Sequence, residues 1–281
     1  MKYIDAIKGS LIALVIFVVG SYLIVGNGPS NEIQIVFTVS SFLFAILSGF
    51  FISRFNARYD RVRELIVIED AHFLSIYKIA SFYGKEFLEK ITDLIDKYYI
   101  LAYDMDTSEG HTEYKYNAKY FLGIYDEMGK LDQKYRSENS FGIILSDLVE
   151  IENSRNARSV LAEERVSIGQ WAILVALSAI VVFSVFYMQM PTIYSQTVTV
   201  LLSTVVVMIL LILRDLQNMR LNGKLVAVES GQEVFEDIGR LRYYHQKYLD
   251  EGSIEIPEFV KSYRLGTHIP GQEPKIKVIN R

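Results

Sequence analysis

Thr38, Phe42 and Ile46 stand four residues apart in a stretch that holds no Asp, Glu, Lys, Arg or His. Residues four apart lie on one face of an α-helix. Several copies of such a helix around an axis would turn that stripe into rings of mostly apolar side chains. A ring of this kind can gate ions by dewetting. The same stretch carries Ser40, Ser41, Ser48 and Ser53, and small residues equally let helices approach closely in ordinary packing. Periodicity alone leaves both uses open. Arg54 and Arg58, again four apart, close the stretch. Cations there serve as membrane-surface anchors, or concentrate anions at a pore mouth.

Other chemistry is poorly supported. Asp104-Met-Asp-Thr-Ser-Glu-Gly110 starts like a calcium loop, but such a loop needs Gly at its sixth position and Glu at its twelfth. Glu109 and Lys115 stand there instead, which predicts a solvated turn. His72, His111, His245 and His268 are scattered with no helical metal-ligand spacing. No metal site is therefore expected. No phosphate-cradling loop or nucleophile elbow occurs, so neither a cofactor nor an enzymatic activity is expected. The chain has no cysteine, which excludes disulfides, thiolate metal sites and thiol nucleophiles. Tyr98, Tyr99 and Tyr103, like Tyr114, Tyr116 and Tyr120, read as packing and subunit-contact residues.

The stripe belongs to one of four uncharged apolar stretches: Gly9–Gly26, Ile33–Ser53, Ile168–Met188 and Ile193–Leu213. A bilayer core takes ~20 apolar helical residues to cross, and a helix satisfies its own backbone there. The expectation is an all-α membrane protein with two transmembrane hairpins, at 1–53 and 168–213. A basic start and an apolar middle make the first stretch resemble a secretory signal, but Gly-Asn-Gly-Pro29 after it reads better as an external turn.

Lys and Arg fix the expected orientation. The hairpin loops Asn27–Glu32 and Gln189–Thr192 carry none, whereas Lys2, Lys8, Arg54, Arg58, Arg61, Arg63, Arg158, Arg165, Arg214 and Arg220 flank the other ends. The positive-inside rule places both termini and the middle region in the cytoplasm of a multi-pass inner (plasma) membrane protein. The lipid bilayer is then one partner. A net charge of -4 suggests no nucleic-acid partner.

Residues 54–167 read as a cytoplasmic helical domain that continues the spans. Leu65, Ile68, Phe73, Ile76, Ile79, Phe87 and Ile91 keep helical spacing over Arg54–Tyr103, where Gly84 is the one Gly and no Pro occurs. Further helices are expected over Tyr114–Tyr135 and Phe141–Arg165, the latter running straight into the third span. Trp171 is expected at the inner interface. In residues 214–281, Leu221–Lys224 reads as a turn and Leu225–Val228 as a short strand. Ser230 and Glu233 form an expected capping box, opening a helix to about Leu249. The tail with Pro257, Pro270 and Pro274 is expected to be extended, wrapping a neighbour or disordered.

Arg54-Phe-Asn-Ala-Arg-Tyr-Asp-Arg61, continuing into Val-Arg-Glu-Leu65, resembles the bestrophin family of ion channels after its second span. The resemblance implies an oligomeric, pentameric channel for small monovalent ions. It places the pore neck, counted back from Arg54 and Tyr59, on Thr38, Phe42 and Ile46. The chain is more similar still to bacterial four-helix proteins described as bestrophin-like. That group shares an acidic residue and an Ala leading a long helix, as Glu69 and Ala71 do here, and Arg-rich sequence like Arg155-Asn-Ala-Arg158. Two features depart from bestrophins proper. The acidic run that clasps calcium after the fourth span is missing, since Asp215 stands alone there and Asp250-Glu251 lies far downstream. Thr38 also replaces a usual apolar neck residue, implying a wetter constriction.

Two function classes remain. One is the ion channel. The other is a membrane-anchored scaffold or sensor whose cytoplasmic helices bind a protein. Both imply a homo-oligomer. A coupled transporter fits less well, because the spans lack ionisable groups. The sign of a conducted ion stays open: the arginines favour anions, and residues 54–167, with 16 basic and 21 acidic side chains, favour cations.

Overall fold

The computed structural model describes residues 3–105, 110–221, 224–225, 229–269 and 272–281. The expected turn at Asn222-Gly223, residues 226–228 of the expected strand, the side chain of His111, most of the acidic stretch 104–110 and Pro270 lie outside the described residues. The chain forms two compact units.

The first unit holds residues 3–59 and 165–223. Its helices are α1 (Ala6–Leu23), the first part of α2 (Asn31–Ala80), α7 (Ile168–Met188) and α8 (Ile193–Gln217). All four are long and apolar enough to cross a membrane. Hydroxyls inside them are spent on their own helices: Ser10, Ser21, Ser48, Ser178, Ser184 and Thr204 each donate to a carbonyl three or four residues back. Such back-bonding satisfies a hydroxyl where water is absent.

Specific caps hold the unit's ends. The Asp215 carboxylate accepts from the Tyr3 hydroxyl at 2.6 Å and from the Ala6 amide at 2.8 Å. It thereby places a negative charge at the positive end of the α1 dipole. At the other end of α1, Gln189 Nε2 donates to the Ser21 carbonyl at 2.7 Å, and the Asn27 amide donates to the Tyr187 carbonyl at 2.9 Å. Gly26 permits this contact, because a Cβ there would strike the backbone of Phe186 and Gln189. Ser167 opens α7 with a capping box shared with Gln170. The indole of Trp171 donates to Gln217 Oε1 at 3.0 Å. Phe44, Phe51, Phe55, Leu174, Val181, Leu213 and Leu216 form the buried core between the helices.

The second unit holds residues 60–164 and 224–281. The rest of α2 enters it, and α2 spans 50 residues without a break, about 75 Å at 1.5 Å per residue. The helical spacing over Arg54–Tyr103 is interrupted at its one glycine. A short 3-10 turn, Ser81–Tyr83, leads to Gly84 at φ 99°, and α3 (Lys85–Asp104) restarts beyond it. A side chain is strained at that φ, so Gly84 is where the chain can reverse. Then follow α4 (Gly110–Gly129), the single turn α5 (Gln133–Arg136) and α6 (Asn139–Glu163). The helix expected to run into the third span stops instead: Glu164 is extended at ψ 117°.

The C-terminal part differs most from expectation. After β1 (Arg220–Leu221) and β2 (Lys224–Leu225), the helix expected to reach Leu249 is the short α9 (Glu229–Asp237). Gly239 at φ 76° ends it. β3 (Tyr243–His245) and the one-turn α10 (Gln246–Asp250) replace the rest. Ser230 does not cap α9, because its hydroxyl donates to Asp70 Oδ2 at 2.5 Å. The tail is ordered into β4 (Ser262–Gly266) and β5 (Ile276–Asn280). β4 pairs with β3 in parallel and with β5 antiparallel. Phe73, Ile76, Ile91, Ile95, Tyr98, Phe121, Ile144, Leu148, Phe235 and Tyr243 make one buried core from the helices and β3.

Candidate functional site

The Thr38–Phe42–Ile46 stripe lies on the face of α2 that the chain itself leaves uncovered. Phe42 is 66 % exposed and Ile46 52 % exposed, and Thr38 is exposed beside them. The opposite face, carrying Ser40, Phe44, Ser48 and Phe51, is the buried one. So the subunit packs α2 by its serine and phenylalanine side and presents the stripe outward, with Ile35, Val39 and Phe50 around it. The Thr38 hydroxyl donates to the Gln34 carbonyl at 2.7 Å. Its donor is thus spent on the helix, which makes this position drier than its residue type suggests.

Arg54 and Arg58 part company. Arg54 is exposed on α2. Arg58 is 3 % exposed; its guanidinium donates to the Gln217 carbonyl at 3.3 Å and lies 5.5 Å from the Phe55 ring. It neutralises the negative end of α8, so helix packing accounts for it.

The family model of the Bestrophin-like domain matches residues 10–218. The chain belongs to the bestrophin-like family. Two solved structures of a bacterial bestrophin homolog from Klebsiella pneumoniae share the fold. A mutant form is 13 % identical with a TM-score of 0.63, covering 82 % of this chain and 97 % of that one. A form phased on zinc is 12 % identical with a TM-score of 0.61, covering 82 % and 98 %. A mutant described as a membrane protein matches equally, at 12 % identity and a TM-score of 0.63, covering 82 % and 97 %. No curated protein matches.

Residues that carry the resemblance meet in the second unit of this bestrophin-like chain. Glu69 on α2 accepts from the Tyr98 hydroxyl at 2.6 Å and faces the Arg158 guanidinium of α6 at 3.3 Å. Arg155, one turn earlier on α6, donates to Asn117 Oδ1 at 2.7 Å and to the Tyr114 carbonyl at 3.1 Å. Its guanidinium also covers the Phe121 ring at 4.4 Å. Both arginines of Arg155-Asn-Ala-Arg158 are therefore buried and tie helices together.

For Asp70, next to Glu69, the Arg158 charge is the smallest of the influences on the carboxyl. Its oxygens accept from the Tyr99 hydroxyl at 2.6 Å and from Ser230. It lies 17 residues past the apolar stretch that ends at Ser53. Burial raises its carboxyl to about 7, against the two hydroxyl hydrogen bonds that lower it.

Two of the scattered histidines also converge. Asp104, His245 and His268 are buried, and their ligand-type atoms lie within 4.8 Å of one another. Each atom has a partner already. His268 Nε2 and Asp104 Oδ2 are 2.5 Å apart, and the Tyr243 hydroxyl donates to Asp104 Oδ1 at 2.5 Å. His245 Nε2 reaches the His268 carbonyl at 2.7 Å, and Nδ1 of each ring accepts a backbone amide, from Lys247 and Lys275. Burial lowers the pKa of His245, which favours the neutral ring. The cluster is a hydrogen-bond lock between α3 and the tail. Spacing gives no sign of it, because Asp104 lies more than 130 residues from either histidine along the chain.

Proposed function

We propose that this chain is the subunit of an oligomeric ion channel, pentameric as in the family it resembles. The second span lines its axis, and small monovalent ions cross an apolar neck made by Thr38, Phe42 and Ile46. The membrane location follows from the four apolar helices and the family. Lysines and arginines at the loop-free ends favour cytoplasmic termini and a cytoplasmic second unit in a bacterial inner membrane. Arg54, exposed on α2, would act at the inner pore mouth or as a membrane anchor.

One observation carries the reading: the stripe is uncovered on its own subunit. Had α2 been packed by that face, no central path bounded by it would be available. Rings of Phe and Ile at four-residue spacing make a constriction narrow and dry enough to limit conduction.

Purified protein in planar bilayers tests this. Phe42→Ala and Ile46→Ala each remove a ring, and each is expected to raise the unitary current about twofold or more. If neither wild type nor either variant carries current, the chain is not a channel and the membrane-anchored scaffold is the surviving alternative.

A further inference from the structure

The second unit encloses a cavity of about 210 Å³ between α2, α3, α6, α9 and β3. That is more than ten times the ~15 Å³ a single water needs. Rings of Tyr99, Tyr103 and Tyr244 line it, and so do the carboxylates of Glu69, Asp70 and Glu229. Ile66, Ala102 and Met105 supply apolar wall.

Its charges are unequally answered. Glu229 is paired with Arg242. Glu69 is 2 % exposed; its Oε2 faces Arg158 at 3.3 Å but takes no hydrogen bond. Asp70 is 2 % exposed; among the described residues it accepts from the Tyr99 and Ser230 hydroxyls, and the Arg158 charge is the smallest of the influences on it. A buried carboxylate whose charge is incompletely answered is costly. A ligand cation would answer it, and tyrosine faces attract the same charge. A hard metal ion would need the Asp70 oxygens that Tyr99 and Ser230 already occupy, and would leave the apolar wall unused. A cation sheathed in carbon uses both the wall and the rings.

We propose that this cavity is a binding site for a small organic ammonium ion, held by Asp70 and Glu69 against the rings of Tyr99, Tyr103 and Tyr244. The site does not depend on the channel reading, and its test requires no conduction.

The groups that face Asp70 are Glu69 from α2, Tyr99 and Tyr103 from α3, Arg158 from α6 and Ser230 and Glu229 from α9. Tyr244, His245 and the Arg242 that pairs Glu229 come from the segment around β3. Burial raises the three tyrosines, so these stay neutral between pH 6 and 8, and it lowers His245, which favours the neutral ring. Asp70 is the group that changes charge in that window.

Isothermal titration calorimetry on the full-length protein in detergent decides the matter, with tetramethylammonium chloride as probe, methylammonium chloride as a second probe and sodium chloride as control. Saturable binding of an ammonium probe at pH 8 is expected, weakening about tenfold at pH 6 as Asp70 takes up its proton. Asp70→Asn is expected to weaken it about tenfold at pH 8 and to abolish the pH dependence. This near-isosteric change removes a buried charge, and the wild-type pH series stands without it should it fail to fold. Absence of saturable binding by either probe at pH 8 overturns the proposal. So does binding that is unchanged by Asp70→Asn, independent of pH, or matched by sodium.

Discussion

Asp70 shows how one side chain sets a condition on the whole fold. Its carboxyl is raised to about 7 by burial, whereas in an unfolded chain it titrates near its ordinary value of 3.8. The folded state therefore holds a proton that the unfolded state has lost between those two values. Stability from this group is complete below about pH 4 and is lost as pH rises through about 7. Asp70→Asn keeps the shape and removes the titration. Denaturant unfolding in detergent is expected to show the variant more stable than wild type at pH 8 by roughly 2–4 kcal/mol, with the difference gone at pH 4. Equal stability at both values would mean that Asp70 is solvated. Nothing in its sequence setting marks this residue. Glu69 beside it faces the Arg158 guanidinium at 3.3 Å, whereas Asp70 accepts from the hydroxyls of Tyr99 and Ser230, and that difference comes from segments distant along the chain. The stripe at Thr38, Phe42 and Ile46 was legible for the opposite reason. It is periodic within one helix, and periodicity is local.

Elements repeat that contrast. The third span matches its expected bounds, Ile168–Met188, because a bilayer-crossing helix is written in uninterrupted apolar residues and needs no distant partner. Gly84 was visible as the one glycine in a long helical pattern, yet spacing alone did not say that the chain would break there. The strands β3, β4 and β5 have 3, 5 and 5 residues and pair across a gap from Tyr243 to Asn280. Short strands of this kind carry little alternation to read. Tyr243, Tyr244 and His245 sit where a helical run was the simpler reading, and the core around Tyr243 overrode it. Between elements, Gly26 is the tightest joint in the first unit. Gly26→Ala would drive a methyl into the backbone of Phe186 and Gln189. Overpacking against backbone that cannot yield is expected to cost about 1–3 kcal/mol, read as a fall in thermal unfolding temperature. An unchanged temperature would show that the turn after α1 moves freely.

At the scale of the molecule, the single chain is an incomplete membrane body. Each of its four apolar helices leaves most of its residues uncovered, and the exposed side includes Phe42 and Ile46. Lipid can cover such a face, and so can other copies of the chain around a central path. The proposed channel takes the second arrangement. The chain has no cysteine, so one introduced thiol becomes a unique chemical handle. The most direct measurement is the effect of a charged methanethiosulfonate reagent on the current through Phe42→Cys, with Val19→Cys, on the outward face of α1, as the companion variant. The account predicts that the reagent blocks Phe42→Cys and leaves Val19→Cys and wild type untouched. Current through Phe42→Cys that persists unchanged after complete labelling would show that ions do not pass along this face.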